Sequence, residues 1–334
     1  CDDGKYHIPK CHNQYVQYGN NVKSLAMDLM INLPNSTDGI VQFISDISNK
    51  GIVLSKGTLI NWEEDLKNKL SGDIQIIENS LLNSYYLNQD EAQIKIDGDG
   101  HNVLCACNKE YVRLWASKHK SQEAIDEIGF LPRFKGVIVK DGTELYNKYG
   151  LFLAQCISHI QRYLKGIYDF INHKAPKNLS DFFTKYNNLR NNYINQKIEK
   201  FSDDELSNII KEYDSILDEW ECELRNDTNN HLFDEEVKLF TRLKYDNKKM
   251  NLKIRGDRDE VLYFLKDFKI PSTNNNAESS QRGVKIKQKI GKFRSKEGAN
   301  DYLTIKSCIL TYKKQKLDIL ESLMKTFEGK TVLA

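Results

Sequence analysis

No apolar run in this 334-residue chain approaches the roughly 18 residues a membrane-spanning helix needs, so nothing in it reads as crossing a bilayer. No signal peptide precedes the seven cysteines, Cys1, Cys11, Cys105, Cys107, Cys156, Cys222 and Cys308. An odd, scattered set of this kind argues for reduced thiols in a cytoplasmic protein and against a disulfide scaffold. Also missing are a Walker loop, a dinucleotide fingerprint and a Gly-x-Ser-x-Gly elbow, which leaves phosphate-cofactor and serine-hydrolase chemistry unsupported. Proline is scarce, and between Cys156 and Lys266 only Pro176 interrupts a nearly continuous helical reading. What is present, 40% hydrophobic and 29% charged residues, is ordinary for a folded globular chain and argues against disorder of the whole.

The net charge of +2 hides a segregation. Residues 201–237 hold thirteen acids against two bases, whereas residues 281–316 hold eleven bases against two acids. A basic strip of that density invites an anionic partner, nucleic acid being the commonest. A solvated, Lys-rich helix face explains it equally well.

Apolar spacing is helical from Gly19 to about Lys69, with Ser55 as an N-cap ahead of Leu59, Ile60, Trp62 and Leu66. Helix, Gly51 turn and second helix outline either a helix-turn-helix or a small layer that packs on the next domain. After Gln89 the pattern changes. Strands are expected over residues 93–97, 101–108, 111–118, 136–140 and 151–155, with a short helix over 121–129 and further helices after the fourth and fifth strands. The fold class is therefore α/β, a mixed five-stranded sheet with a parallel half and flanking helices. A large helical block then separates Asp141 from Glu278.

In such a sheet the first and fourth strands are neighbours, and acids at their carboxyl ends converge where sites form. That reasoning selects Asp97 and Asp141, two carboxylates that repel unless a cation lies between them. Glu278, in Thr-Asn-Asn-Asn-Ala-Glu (273–278), precedes the basic strip and completes a third acid. As a capping box with Asn275 it would be structural instead; Arg282, four residues on, shares its helix face and could hold a phosphate. Cys156 and His159 form a Cys-x₂-His pair at a helix start, but two ligands do not make a zinc site, and Cys105 and Cys107 lie on another strand.

These residues resemble the transposases of the insertion sequence 66 family, DDE enzymes with a ribonuclease-H-like core. The most specific stretch runs from Pro271 to Leu323 and includes residues 273–278, Arg282 and Val284 to Ala299. Further matches are Glu-Ala-Ile-Asp-Glu-Ile-Gly at 123–129, Gly136 through Gly142, Cys156-x₂-His159-x₂-Arg162, Tyr18-Gly19 and Ser55-x-Gly57-Thr58-Leu59-x-x-Trp62. The resemblance implies a transposase that hydrolyses phosphodiesters at transposon ends and joins strands into target DNA. Asp97, Asp141 and Glu278 would hold Mg²⁺, with Mn²⁺ able to substitute. Arg282, Lys285, Lys287, Lys289, Lys292 and Arg294 would contact DNA, with His159, Arg162, Asn274 and Asn275 as auxiliary groups.

The resemblance further implies a homo-oligomer on double-stranded DNA, accessory proteins of the same element, and a prokaryotic, nucleoid-associated setting. It also implies a chain divided into a remnant at 1–18 after a missing zinc-binding region, a helical segment at 19–90, core halves at 91–165 and 267–334, and a helical insertion at 166–266. Zinc is expected only in that missing region, because Cys1 and Cys11 alone do not close a site. Two departures stand out. The family's Asp-Glu-Thr at the first acid is Asp97-Gly98-Asp99 here, which puts Asp99 in reserve as a ligand; and Ser279 follows Glu278 where relatives often carry Arg. The alternative function is a decayed transposase fragment that only binds DNA.

Overall fold

The structure is a computed structural model that describes residues 18–33, 35–171, 173–226, 234–245 and 256–333. Cys1, Cys11 and residues 1–17 of the expected remnant lie outside that range. Among the described residues, four helices come first. The first, α1 (Asn20–Met27), runs on into a π turn over Asp28–Asn32 and is followed by α2 (Thr37–Ile47), α3 (Lys56–Lys69) and α4 (Ser71–Leu82). Ser55 caps α3 as expected, its hydroxyl oxygen accepting the Thr58 N–H at 3.0 Å.

The sheet comprises β1 (Tyr86–Ile96), β2 (Asp99–Cys107), β3 (Val112–Ser117), β4 (Val137–Lys140) and β5 (Phe152–Gln155), in the order β3-β2-β1-β4-β5. The first three strands are antiparallel, while β1, β4 and β5 are parallel. α5 (Gln122–Ile128) links the halves and ends at Gly129, whose φ of 69° suits a residue without a Cβ. The five strands and their mixed character agree with the sequence reading, but two details differ. β1 begins seven residues earlier than residue 93, because its amino-terminal half carries the polar run Asn88-Gln89-Asp90-Glu91, which masks strand periodicity. Between β4 and β5 there is no helix, only turns over residues 141–151.

After β5 come α6 (Ile157–Ile171), α7 (Lys174–Asn195), α8 (Asp203–Asn226), α9 (Asp234–Lys244) and the short α10 (Arg258–Val261) and α11 (Tyr263–Lys266). Then α12 (Asn275–Ile290), α13 (Lys296–Lys314) and α14 (Ile319–Phe327) return to the sheet side. Helices α6 to α11 enclose their own core, around Phe182, Phe183, Tyr213 and Trp220. A larger core joins the sheet to α13, α14 and the amino-terminal helices, with Leu59, Trp62 and Leu66 of α3 inside it. The acidic stretch finds its role in the helical block. Glu212 binds Lys185 and the Tyr186 hydroxyl, Asp214 binds Arg258, Asp218 and Glu221 pair with Lys244, and Glu223 accepts the Lys174 and Ala175 N–H groups at the start of α7.

Candidate active site

The parallel register of β1 and β4 decides which acids meet. Asn88 of β1 lies opposite Val139 of β4, so two residues further on Asp90 comes level with Asp141. Asp97 does not. It lies seven residues beyond Asp90, about 23 Å along an extended strand at roughly 3.3 Å per residue. There it forms, with Gly98, the two-residue turn between β1 and β2, at φ of 49° and 87° respectively. An Asp-Gly pair is the natural occupant of such a turn. The structure therefore brings Asp90, and not the expected Asp97, beside Asp141. Asp99, held in reserve, is exposed beside the same turn and is equally remote. Asp90 is followed by Glu91, the Asp-Glu order that was lacking at Asp97.

Electrostatics bring the third acid in. Burial, then the charges of Glu91, Asp141 and Glu278, push the Asp90 carboxyl up to about 7. Asp141 is set by a local turn, its Oδ1 accepting the Thr143 N–H at 2.9 Å. Gly142 follows, with Nη2 of Arg242, itself paired with Asp257, 2.9 Å from where a Cβ would stand.

Glu278 lies in the first turn of α12, whose cap is Asn274 rather than Asn275, and no capping box forms. Instead its Oε1 is buried without a hydrogen-bond partner and lies 3.8 Å from His159 Nε2. Asn274 is fully buried and works as a clamp. Its side-chain amide donates to the Gln89 carbonyl at 2.7 Å and its Oδ1 accepts from Asn88 at 3.0 Å, while its backbone N–H donates to Cys156 Sγ at 3.1 Å. The start of α12 is thereby tied to the strand that carries Asp90. Asn275 is exposed. The start of α6 is fixed to the same place: the Cys156 N–H donates to the Lys140 carbonyl at 2.8 Å and the Ile157 N–H to Ser272 at 2.9 Å.

Among the described residues, the one set that brings three metal-ligating side chains within 4.8 Å of one another is Cys156, His159 and Glu278. Asp90, Asp141 and Glu278 do not form such a compact set. An all-oxygen donor set, a buried carboxylate oxygen without a partner and mutual repulsion at Asp90 all fit hard divalent cations.

Lys120 and Glu91 escaped the sequence reading. The Lys120 ammonium pairs with Glu91, which also accepts from the Tyr146 hydroxyl at 2.6 Å. Burial works against the Lys120 charge, yet Glu91, Asp141 and Asp90 together hold its pKa above the usual lysine value. It is a cation beside the acids, and nothing in its sequence neighbourhood marks it.

On α12, Ala277, Ser280, Gln281 and Val284 face the sheet, whereas Arg282, Lys285 and Lys289 are exposed, as are Lys292 and Arg294 beyond its end. Lys287 stands apart. It is partly buried, burial lowers its pKa, and Glu63 of α3 acts as its counter-charge. His159 faces Glu278, and Arg162 is exposed one turn further along α6.

A search of curated protein sequences finds no match. The sequence profile described as the transposase IS66 family matches residues 41–301, most of the chain and all the acids discussed above. The chain belongs to the IS66 transposase family.

Proposed function

We propose that this transposase-family chain cleaves DNA at the ends of a mobile element and joins them to target DNA, using Asp90, Asp141 and Glu278 on a ribonuclease-H-like core. The observation that supports this reading most is the β1–β4 register, which sets Asp90 level with Asp141 while the charge of Glu278 is felt at Asp90. The residues at 19–90, 91–165, 166–266 and 267–334 serve in this reading as helical segment, first core half, helical insertion and second core half.

The three carboxylates would hold Mg²⁺, for which Mn²⁺ could substitute, and the cation bound there would supply positive charge for phosphoryl-transfer chemistry. The chain's own groups do the rest. Asn274 and the start of α12 keep Glu278 facing the strand that bears Asp90. Lys120 balances the excess negative charge of Glu91, Asp90 and Asp141. Arg282, Lys285, Lys289, Lys292 and Arg294 neutralise backbone phosphates, which gives affinity without base readout. Arg162 extends the cationic surface on the His159 side. Assembly on double-stranded DNA as a homo-oligomer, with accessory proteins of the same element and in a nucleoid setting, belongs to the same proposal.

The experiment is cleavage of a plasmid that carries the ends of the protein's own element, with Mg²⁺ present and absent. Metal-dependent nicking lost in Asp141→Asn supports the enzyme. DNA binding without nicking in the wild type would instead favour a chain that only binds DNA.

A further inference from the structure

Cys156 and His159 play no part in a carboxylate mechanism, yet both stand beside the third acid. Cys156 Sγ, a ring nitrogen of His159 and a carboxylate oxygen of Glu278 lie within 4.8 Å of one another. The His159–Glu278 separation of 3.8 Å is too long for a hydrogen bond. It is close to the chord of about 3.4 Å that separates two ligands on one tetrahedral ion with bonds near 2.1 Å. The remaining valences are open. Glu278 Oε1 is buried and makes no hydrogen bond, and His159 Nε2 is the ring nitrogen that faces it. Cys156 Sγ accepts the Asn274 N–H, the kind of donor that supports a metal-bound thiolate.

The scaffold is stiff as well. Cys156 immediately precedes α6, His159 lies on its first turn, and Glu278 lies on the first turn of α12. The two helix starts are joined by the Ile157–Ser272 and Asn274–Cys156 hydrogen bonds.

We propose that Cys156, His159 and Glu278 form a binding site for a thiophilic divalent cation such as Zn²⁺, completed by a water molecule. Sulfur, imidazole and one carboxylate are a donor set that prefers Zn²⁺ or Co²⁺ to Mg²⁺. This site and the all-oxygen site therefore sort cations by softness while sharing Glu278. The binding site stands on these three residues alone; its consequence rests on the role proposed above for Glu278. An ion held by the thiol and imidazole draws Glu278 away from Asp90 and Asp141, so Zn²⁺ opposes Mg²⁺-dependent chemistry.

The test is titration of the full chain, reduced and metal-free, with Co²⁺ as the spectroscopic probe. The expected result is a near-ultraviolet thiolate-to-cobalt band together with the visible bands of a four-coordinate ion, saturating at one equivalent and bleached by Zn²⁺. Cys156→Ser removes the thiolate band, His159→Ala weakens Co²⁺ binding about tenfold or more, and Asp141→Asn leaves both unchanged. Absence of the band, or its survival in Cys156→Ser, overturns the proposal. Should Cys156→Ser fail to fold, unweakened binding in His159→Ala does the same. Because the readout needs no DNA, its failure would leave the cleavage mechanism standing, and loss of cleavage activity would leave the cobalt result standing.

Discussion

Asp90 and Asp97 both end or interrupt an apolar stretch, and only strand pairing distinguishes them. If Asp90 holds the cation, Asp90→Asn removes several kcal/mol of charge stabilisation and slows DNA cleavage by about 10²-fold or more. Asp97→Asn changes a hairpin turn and leaves the rate within about twofold. A gel assay of end cleavage on the two variants separates them. Asn274→Ala removes the clamp to Gln89 and Asn88 without touching a ligand, so metal affinity and cleavage fall together by about 10- to 100-fold.

The clue for Asp97 was in plain view. Asp-Gly flanked by alternating residues is a hairpin turn, and that local chemistry outranks the position of an acid at an apparent strand end. Asp90 was hidden because its strand is lined with Asn88, Gln89 and Glu91, polar residues whose partners come from β2, α12 and the turns after Asp141. Asp141 follows the short buried run of β4 and Glu278 lies at the start of α12, positions that local sequence pattern marks.

At the scale of elements, α12 carries both the third acid and the exposed bases. Lys285→Ala with Lys289→Ala weakens DNA binding across sequences and lowers the slope of log affinity against log salt by about 0.9 for each phosphate no longer neutralised. Fluorescence anisotropy over a salt series reads this directly. Lys287 does not belong to that set, because it faces Glu63, and substituting it changes the salt slope little. Glu63 itself is pushed up to about 7 by burial, with Lys287 opposing the rise and Asp301 adding to it.

A carboxyl with a raised folded-state pKa contributes stability that is fully present below its unfolded value of 4.5 and is lost as pH rises through about 7. Glu63→Gln therefore raises the melting temperature at pH 8 and flattens the fall between pH 4.5 and 7. Solvent screening at this partly buried position keeps the gain on the order of 1 kcal/mol. Helix periods and the Ser55 cap were readable from sequence because they are local. The partnership of Glu63 with Lys287 was not, since it depends on α3 meeting α12 across more than 200 residues.

At the scale of the molecule, the amino-terminal helices and the carboxyl terminus close on one core. Asp73 at the start of α4 is buried and accepts the Val332 and Leu333 N–H groups and the Tyr312 hydroxyl. Asp73→Ala leaves those donors without a partner and costs about 3 kcal/mol, measured by denaturant unfolding. The five-stranded sheet and the helical block were both visible in the sequence, the first as period-two runs and the second as a long stretch poor in proline. Charge segregation was also visible, and its two halves are used differently. The basic half is exposed on and beyond α12, whereas many acids of α8 are spent on pairing with Lys185, Lys244 and Arg258.

The central claim is that Asp90, not Asp97, joins Asp141 and Glu278 in holding a hard divalent cation. It is tested most directly by Mn²⁺ titration calorimetry on the wild-type chain, Asp90→Asn and Asp97→Asn. The predicted result is saturable binding that Asp90→Asn abolishes and Asp97→Asn preserves. Binding that survives Asp90→Asn, or disappears in Asp97→Asn, would contradict it.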